Sequence, residues 1–332
     1  MVGALVTLVL ASITVFVILR LLPADPVRLI VGPLASAAAI QHERVILGLN
    51  LPLDVQYVKY LATFVQGNWG FDYSNGTPVL TEVISRLPAS LELGFYAMVF
   101  AISGALLGAL CAVGSQWRGV DRAIRAVAFV GLGSPPFWIG VMLLLVFAEY
   151  VHLLPGPVGR LSLGVTPPPT VSHFYTIDSL LAGQWSTFID AVQHLVLPAV
   201  TLGLAPLGYL LRLLRQSLLE VREEDFLKVC EAKGMTRWTA LIRHGLPNSL
   251  LPVLTAAGLL VAQLVAGSVL VEAVFNWPGV GQLVVNSVLA REYGVVQAFV
   301  ILSAVAFIAV NIIVDILYVV VDPRLRRPVV VD

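Results

Sequence analysis

The residue types that usually carry chemistry are few in this chain, and none stands at a catalytic spacing. The five histidines, His42, His152, His173, His194 and His244, are scattered over loops and the ends of apolar stretches, and no two share a helical face at metal-ligand spacing. His42-Glu43 is followed three residues later by Ile46 rather than a second histidine, so the zinc-protease pair is missing. No Gly-x-Ser-x-Gly elbow occurs. The three lysines, Lys59, Lys228 and Lys233, are followed by Tyr60, Val229 and Gly234, which excludes a phosphate-cradling loop ending Gly-Lys-Ser/Thr. Cys111 and Cys230 lie in or beside apolar stretches and are too few for a disulfide framework or a zinc site. An enzyme embedded in the membrane is thereby disfavoured, and this chain binds no cofactor that its own motifs would reveal.

The remaining polar groups of interest sit inside apolar segments. Of 332 residues 58% are hydrophobic and only 12% charged, against about a quarter charged in soluble domains. Zero net charge argues against nucleic acid as a partner and the apolar composition argues for a lipid bilayer. A bilayer core of about 30 Å takes roughly 20 apolar residues as helix, since lipid offers no partner to free backbone groups. Six stretches qualify: Val2–Leu22, Leu91–Val113, Ile124–Val151, Ala191–Leu214, Leu250–Val271 and Val296–Val321. The first is too long for a removable signal and no small-residue cleavage site follows it, so it reads as an uncleaved span. The expected class is an all-α, polytopic membrane protein of about six transmembrane helices.

Basic residues set the orientation. Thirteen fall after the second, fourth and sixth spans, namely Arg118, Arg122 and Arg125, the run from Arg212 to Arg243, and Arg324, Arg326 and Arg327. The opposite side holds six in longer segments, so both termini are expected in the cytoplasm. The N-terminus lacks basic residues of its own, which points to a start upstream. Within the spans, Asp315 is read as the one carboxylate well inside, roughly 10 Å of helix before Asp322, with Asn311 a turn earlier on the same face. These two, with Gln263 and Ser268, are candidate substrate-path residues, although an interhelical hydrogen bond or a contact with a partner chain explains Asn311 and Asp315 more economically. Glu272, near the outer end of the fifth span, either lines the outer mouth or snorkels into water. Pro135-Pro136, Pro198, Pro206 and Pro252 mark kinks or hinges.

Three regions follow: a first transmembrane helix at 1–22, an extracytoplasmic segment at 23–90, and a core of five helices at 91–332. In the outer segment Val58, Leu61, Ala62 and Val65 recur at helical spacing until Gly67, reading as an amphipathic helix laid on the bundle or the interface. The core contains the largest cytoplasmic connection, 218–249. Phe226, Val229 and Cys230 at i, i+3 and i+4 suggest one short helix, Gly234 its left-handed cap, and Trp238, Leu241, Ile242 and Leu246 the stripe of a second. Two amphipathic helices about a glycine turn form a knob suited to another protein's groove.

The spacing from Gly234 to Leu246-Pro247 resembles the signature loop of permeases from ATP-binding-cassette (ABC) importers. Registered on Gly234, the family's Glu-Ala-Ala slots fall on Lys228, Val229 and Cys230, and its Ile slot on His244, so all four depart. The departures are similar to those of one branch, the permeases for peptides and nickel, where the loop reads Ala-Lys-Gly and then Arg-His, as Ala232-Lys233-Gly234 and Arg243-His244 do. Agreement with that branch extends to Leu19-Arg20-Leu21-Leu22-Pro23-Ala24-Asp25-Pro26, Arg86-Leu87-Pro88-Ala89-Ser90-Leu91-Glu92-Leu93, Gly133-Ser134-Pro135-Pro136-Phe137-Trp138, Pro278-Gly279-Val280-Gly281 and Asp322-Pro323-Arg324. The long outer segment resembles that of the first of two permeases in such systems.

That resemblance implies a type I ABC importer permease architecture in the bacterial cytoplasmic membrane. It implies a second homologous permease sharing the pathway, two ATPase subunits (or one fused ATPase) that bind ATP and Mg, and an extracytoplasmic substrate-binding protein. By the same resemblance Lys228, Val229, Cys230, Glu231, Ala232, Lys233, Gly234, Met235 and Thr236 would form the element that docks on an ATPase. Di- or oligopeptides are the first-choice cargo, with nickel chelates, glutathione or other small solutes as alternatives. An ion-coupled carrier acting alone would be expected to carry mid-membrane carboxylates and an inverted repeat, neither of which is visible.

Overall fold

The computed structural model describes residues 35–46, 48–72, 75–114, 118–290 and 293–321, with scattered positions between 9 and 31. Apart from a few helical positions, the expected first span Val2–Leu22 lies outside the described residues, as do Arg324, Arg326 and Arg327. The described residues are mostly helical, because helix satisfies its own backbone groups where water is absent. In order come α1 (Ala37–Ile46), α2 (Leu53–Val65), a hairpin of β1 (Phe71–Asp72) and β2 (Thr77–Pro78), α3 (Val79–Gly114), α4 (Arg118–Gly133) and α5 (Pro136–Leu143). Then follow α6 (Tyr175–Leu181), α7 (Trp185–Arg222), α8 (Asp225–Ala232), α9 (Arg237–Ala240), α10 (Leu246–Val274), α11 (Val280–Ala290) and α12 (Tyr293–Val321). Wider π turns continue α5 over Leu144–Tyr150 and join α9 to α10 over Leu241–Gly245. The antiparallel hairpin, with Phe71 opposite Pro78 and Asp72 opposite Thr77, was not expected from the sequence.

By length and composition α3 and α7 can each cross a membrane. The expected third span is not one rod. Its two parts, Gly119–Gly133 and Pro136–Tyr150, meet at 117°. The cause is local: Pro136 forces Pro135 into extended backbone, at φ −61° and ψ 132°, and neither ring can donate a helical hydrogen bond. Pro198 and Pro206, by contrast, stand inside the unbroken α7.

The chain divides into two compact units, Met1–Ser90 with Pro278–Ile308, and Leu91–Trp277 with Ala309–Asp332. In the first, Val79, Val83, Val280, Leu283, Val295 and Ala298 form a buried core flanked by Phe64, Trp69 and Leu87. Phe64 stacks on Trp69 with ring centroids 4.6 Å apart. The amphipathic helix expected from Val58 onward is α2, and its Tyr57 hydroxyl lies 2.7 Å from that of Ser12. In the second unit α7 is central, burying Leu195, Leu202, Leu210, Leu211, Leu214 and Leu218. It touches α3 closely enough that a Cβ at Gly203 would lie 2.5 Å from the Ala97 carbonyl oxygen.

Candidate functional site

The loop at 218–249 folds into the expected knob. Glu224 is extended and α8 begins at Asp225, whose carboxylate accepts a 2.8 Å hydrogen bond from Lys228. That bond and the lysine's charge hold the Asp225 carboxyl below its ordinary value and raise the Lys228 ammonium. The helix closes as a left-handed cap, with Gly234 at φ +90°. Met235 N–H reaches the Cys230 carbonyl at 3.2 Å and Gly234 N–H the Glu231 carbonyl at 2.9 Å, the two bonds of a Schellman ending. Thr236 then starts α9, its hydroxyl accepting from the Thr239 N–H at 3.2 Å. Arg237 bridges back to Glu231 at 3.4 Å.

Inside the knob, Leu227, Ala240 and Leu241 are buried. Leu227 was missed in the sequence, although it is the one leucine of α8 and faces Gly245. The stripe expected to organise α8 points outward: Phe226 is 40% and Val229 51% exposed. Lys228, Val229, Glu231, Ala232, Lys233, Gly234 and Thr236 are exposed, and Cys230 and Met235 half-buried. The result is a hydrogen-bonded helix–turn–helix carrying exposed apolar side chains beside opposite charges.

Of the substrate-path candidates, the side chains described are those of Gln263 and Ser268. On α10, Gln263 is exposed and Ser268 is buried, so they occupy different faces. Asn311 and Asp315 belong to α12, and their side chains lie outside those described. Glu272 requires a correction. It is fully buried and does not snorkel into water. The chain turns just after α10, where the Glu272 carbonyl accepts the Trp277 N–H at 2.8 Å, and both side chains are enclosed.

Sequence reasoning missed a polar network around the segment between α5 and α7. Glu92, near the start of the expected second span, is 1% exposed, so Asp315 is not the only carboxylate to be weighed there. It pairs with Arg160 at 2.5 Å and accepts from the Thr176 backbone and hydroxyl at 3.0 and 2.7 Å. Tyr96 donates to the same Thr176 hydroxyl at 3.0 Å. The Arg160 guanidinium also donates to the His173 carbonyl at 2.9 Å and lies 3.5 Å from the centroid of the Tyr175 ring. Asp178 receives N–H groups of Val171, Ser172 and His173 and the Ser172 hydroxyl. Burial pushes its carboxyl up, but these donors outweigh it and hold the group below the usual carboxylate range. Asp190 in turn holds Ser162 through both backbone and hydroxyl. Carboxylates thus order a segment with little regular structure, since each accepts from a backbone N–H and a hydroxyl at once, and Asp178 from three backbone N–H groups. Among the described residues no three His, Cys, Asp or Glu side chains gather as metal ligands.

Comparison with known proteins agrees with this architecture. Residues 104–327 match the family described as "Binding-protein-dependent transport system inner membrane component", and residues 1–94 match its N-terminal companion. The "Probable D,D-dipeptide transport system permease protein DdpB" of Escherichia coli K12 is 40% identical over 325 residues, covering 96% of this chain and 94% of that protein. The "Di/tripeptide transport system permease protein DppB" of Pseudomonas aeruginosa is 37% identical, over 95% and 94% of the two chains. The "Glutathione transport system permease protein GsiC" of E. coli O1:K1 is 36% identical, over 98% and 96%. A solved amino acid ABC transporter chain superposes at TM-score 0.49 with 16% identity, over 72% of this chain and 93% of that chain, a likeness too slight to carry an assignment. With apolar helices and matches along almost its whole length, the chain belongs to the family of inner membrane components of binding-protein-dependent transport systems.

Proposed function

We propose that this chain is one of two permease subunits of an ATP-driven importer of di- or oligopeptides in a bacterial cytoplasmic membrane. The observation that carries the reading is its match, over nearly full length, to permeases whose own names specify D,D-dipeptide, di/tripeptide and glutathione cargo. Peptide is the chemistry these cargoes share. The pathway forms with a second permease, an extracytoplasmic binding protein delivers the cargo, and two ATPase subunits hold ATP and Mg. The exposed knob Lys228–Thr236 faces the cytoplasm and docks on one ATPase. Its rigid Schellman turn and outward apolar side chains support that role. Closure of the ATPase pair pushes the knob, and the spans swing between inward-open and outward-open states.

Uptake into liposomes tests the cargo. The chain, co-purified with its partner subunits, is supplied with ATP and a labelled dipeptide, glutathione or a nickel chelate. ATP-dependent uptake of the dipeptide above the other two supports the reading. Uptake of the nickel chelate alone overturns the peptide assignment and leaves the permease assignment standing.

A further inference from the structure

The knob has a second mechanical contact, away from its exposed turn. α3 ends at Gly114, and a Cβ there would fall 2.9 Å from both Cε3 and Cη2 of Trp238 and closer still to Cζ3. The six-membered ring of the indole therefore covers the glycine's Cα, and no other residue fits at 114 without evicting the ring. Trp238 is 46% exposed, so one part of the ring is seated and the rest remains open. Ala240 on the same short helix and Leu241 just after it are buried, which anchors the backbone that carries the indole within the knob. α3 is keyed along α7. A Cβ at Gly104 would lie 2.5 Å from Cδ1 of Leu207, and one at Gly108 2.9 Å from Cδ1 of Leu211.

On the coupling reading above, we propose that Trp238 seated on Gly114 is a relay that passes displacement of the knob to the inner end of α3. The knob then acts on two long helices. It drives α10 through the continuous turn at Leu241–Gly245 and α3 through a single aromatic contact. Trp238 touches no substrate; it is a positioning residue, and its loss separates ATP hydrolysis from transport.

A double-mutant cycle in the reconstituted transporter tests this, with ATP hydrolysis and uptake measured on the same liposomes. Trp238→Ala and Gly114→Ala should each lower uptake about tenfold while hydrolysis persists, because each breaks the same contact. Gly114→Ala/Trp238→Ala should be no worse than Trp238→Ala, and Trp238→Phe should retain most uptake. Should Trp238→Ala fail to assemble, Trp238→Leu replaces it in the cycle. Normal uptake in Trp238→Ala, or independent and additive losses in the double variant, overturns the relay. Gly234→Pro is run alongside. If it uncouples and Trp238→Ala does not, the relay alone is wrong; if neither alters uptake, the coupling reading itself fails.

Discussion

Glu92 and Arg160 meet in an ion pair 2.5 Å long, with 1% and 9% of their side chains exposed. Glu92 lies on α3 and Arg160 in the irregular segment that follows α5, so the pair joins a membrane-crossing helix to a loop. A buried pair of this kind contributes little to net stability, because desolvation offsets the attraction, but removing one member strands the other.

Glu92→Gln should therefore cost on the order of 3–5 kcal/mol by leaving the Arg160 charge uncompensated. Glu92→Leu combined with Arg160→Leu should cost less than either single change. Apparent melting midpoints of the detergent-solubilised complex check both. Additive losses in the double variant would show that the pair does not act as a unit.

Asp178 predicts a pH response. Its carboxyl is held below the usual value, so the stability it contributes is complete above the unfolded carboxylate value of about 3.9 and is lost as pH falls through the lower folded value. Protection of the Ser172 and His173 amides, corrected for intrinsic exchange, should stay constant from about pH 8 to about pH 5. Asp178→Asn should speed their exchange roughly tenfold, since hydrogen bonds to a charged acceptor are lost. Protection that fades near neutral pH would contradict this account.

Thr236 makes a local prediction within the knob. Its hydroxyl caps α9 through the Thr239 N–H, and Thr236→Ala should cost roughly 1 kcal/mol of local stability. Faster exchange at Thr239, with the spans unaffected, is the expected readout. Protection unchanged at that amide would mean the cap contributes nothing.

The parts of the molecule written in local signals could be read from the sequence. A glycine closing a short charged helix, then Leu246-Pro247 opening a span, fixes the knob because cap geometry depends on a few adjacent residues. Pro135-Pro136 likewise announces a break, although the pattern does not give its 117° angle. The network of Glu92 was illegible for the same reason. Its partners Arg160 and Thr176 lie 68 and 84 residues away, and only the fold brings them to one carboxylate. Leu227 was overlooked because it stands off the Phe226, Val229 and Cys230 stripe, and the period alone does not say which face of α8 is buried.

The most direct test of coupling through the knob is Gly234→Pro in the assembled transporter. Proline is locked near φ −65°, whereas Gly234 sits at +90°, and its N–H to the Glu231 carbonyl at 2.9 Å would be lost. No span is altered by the change. ATP hydrolysis and peptide uptake are measured together in liposomes. The account predicts a complex that assembles and hydrolyses ATP while uptake collapses. Undiminished uptake, or uptake by this chain alone on an ion gradient without ATP, would contradict it.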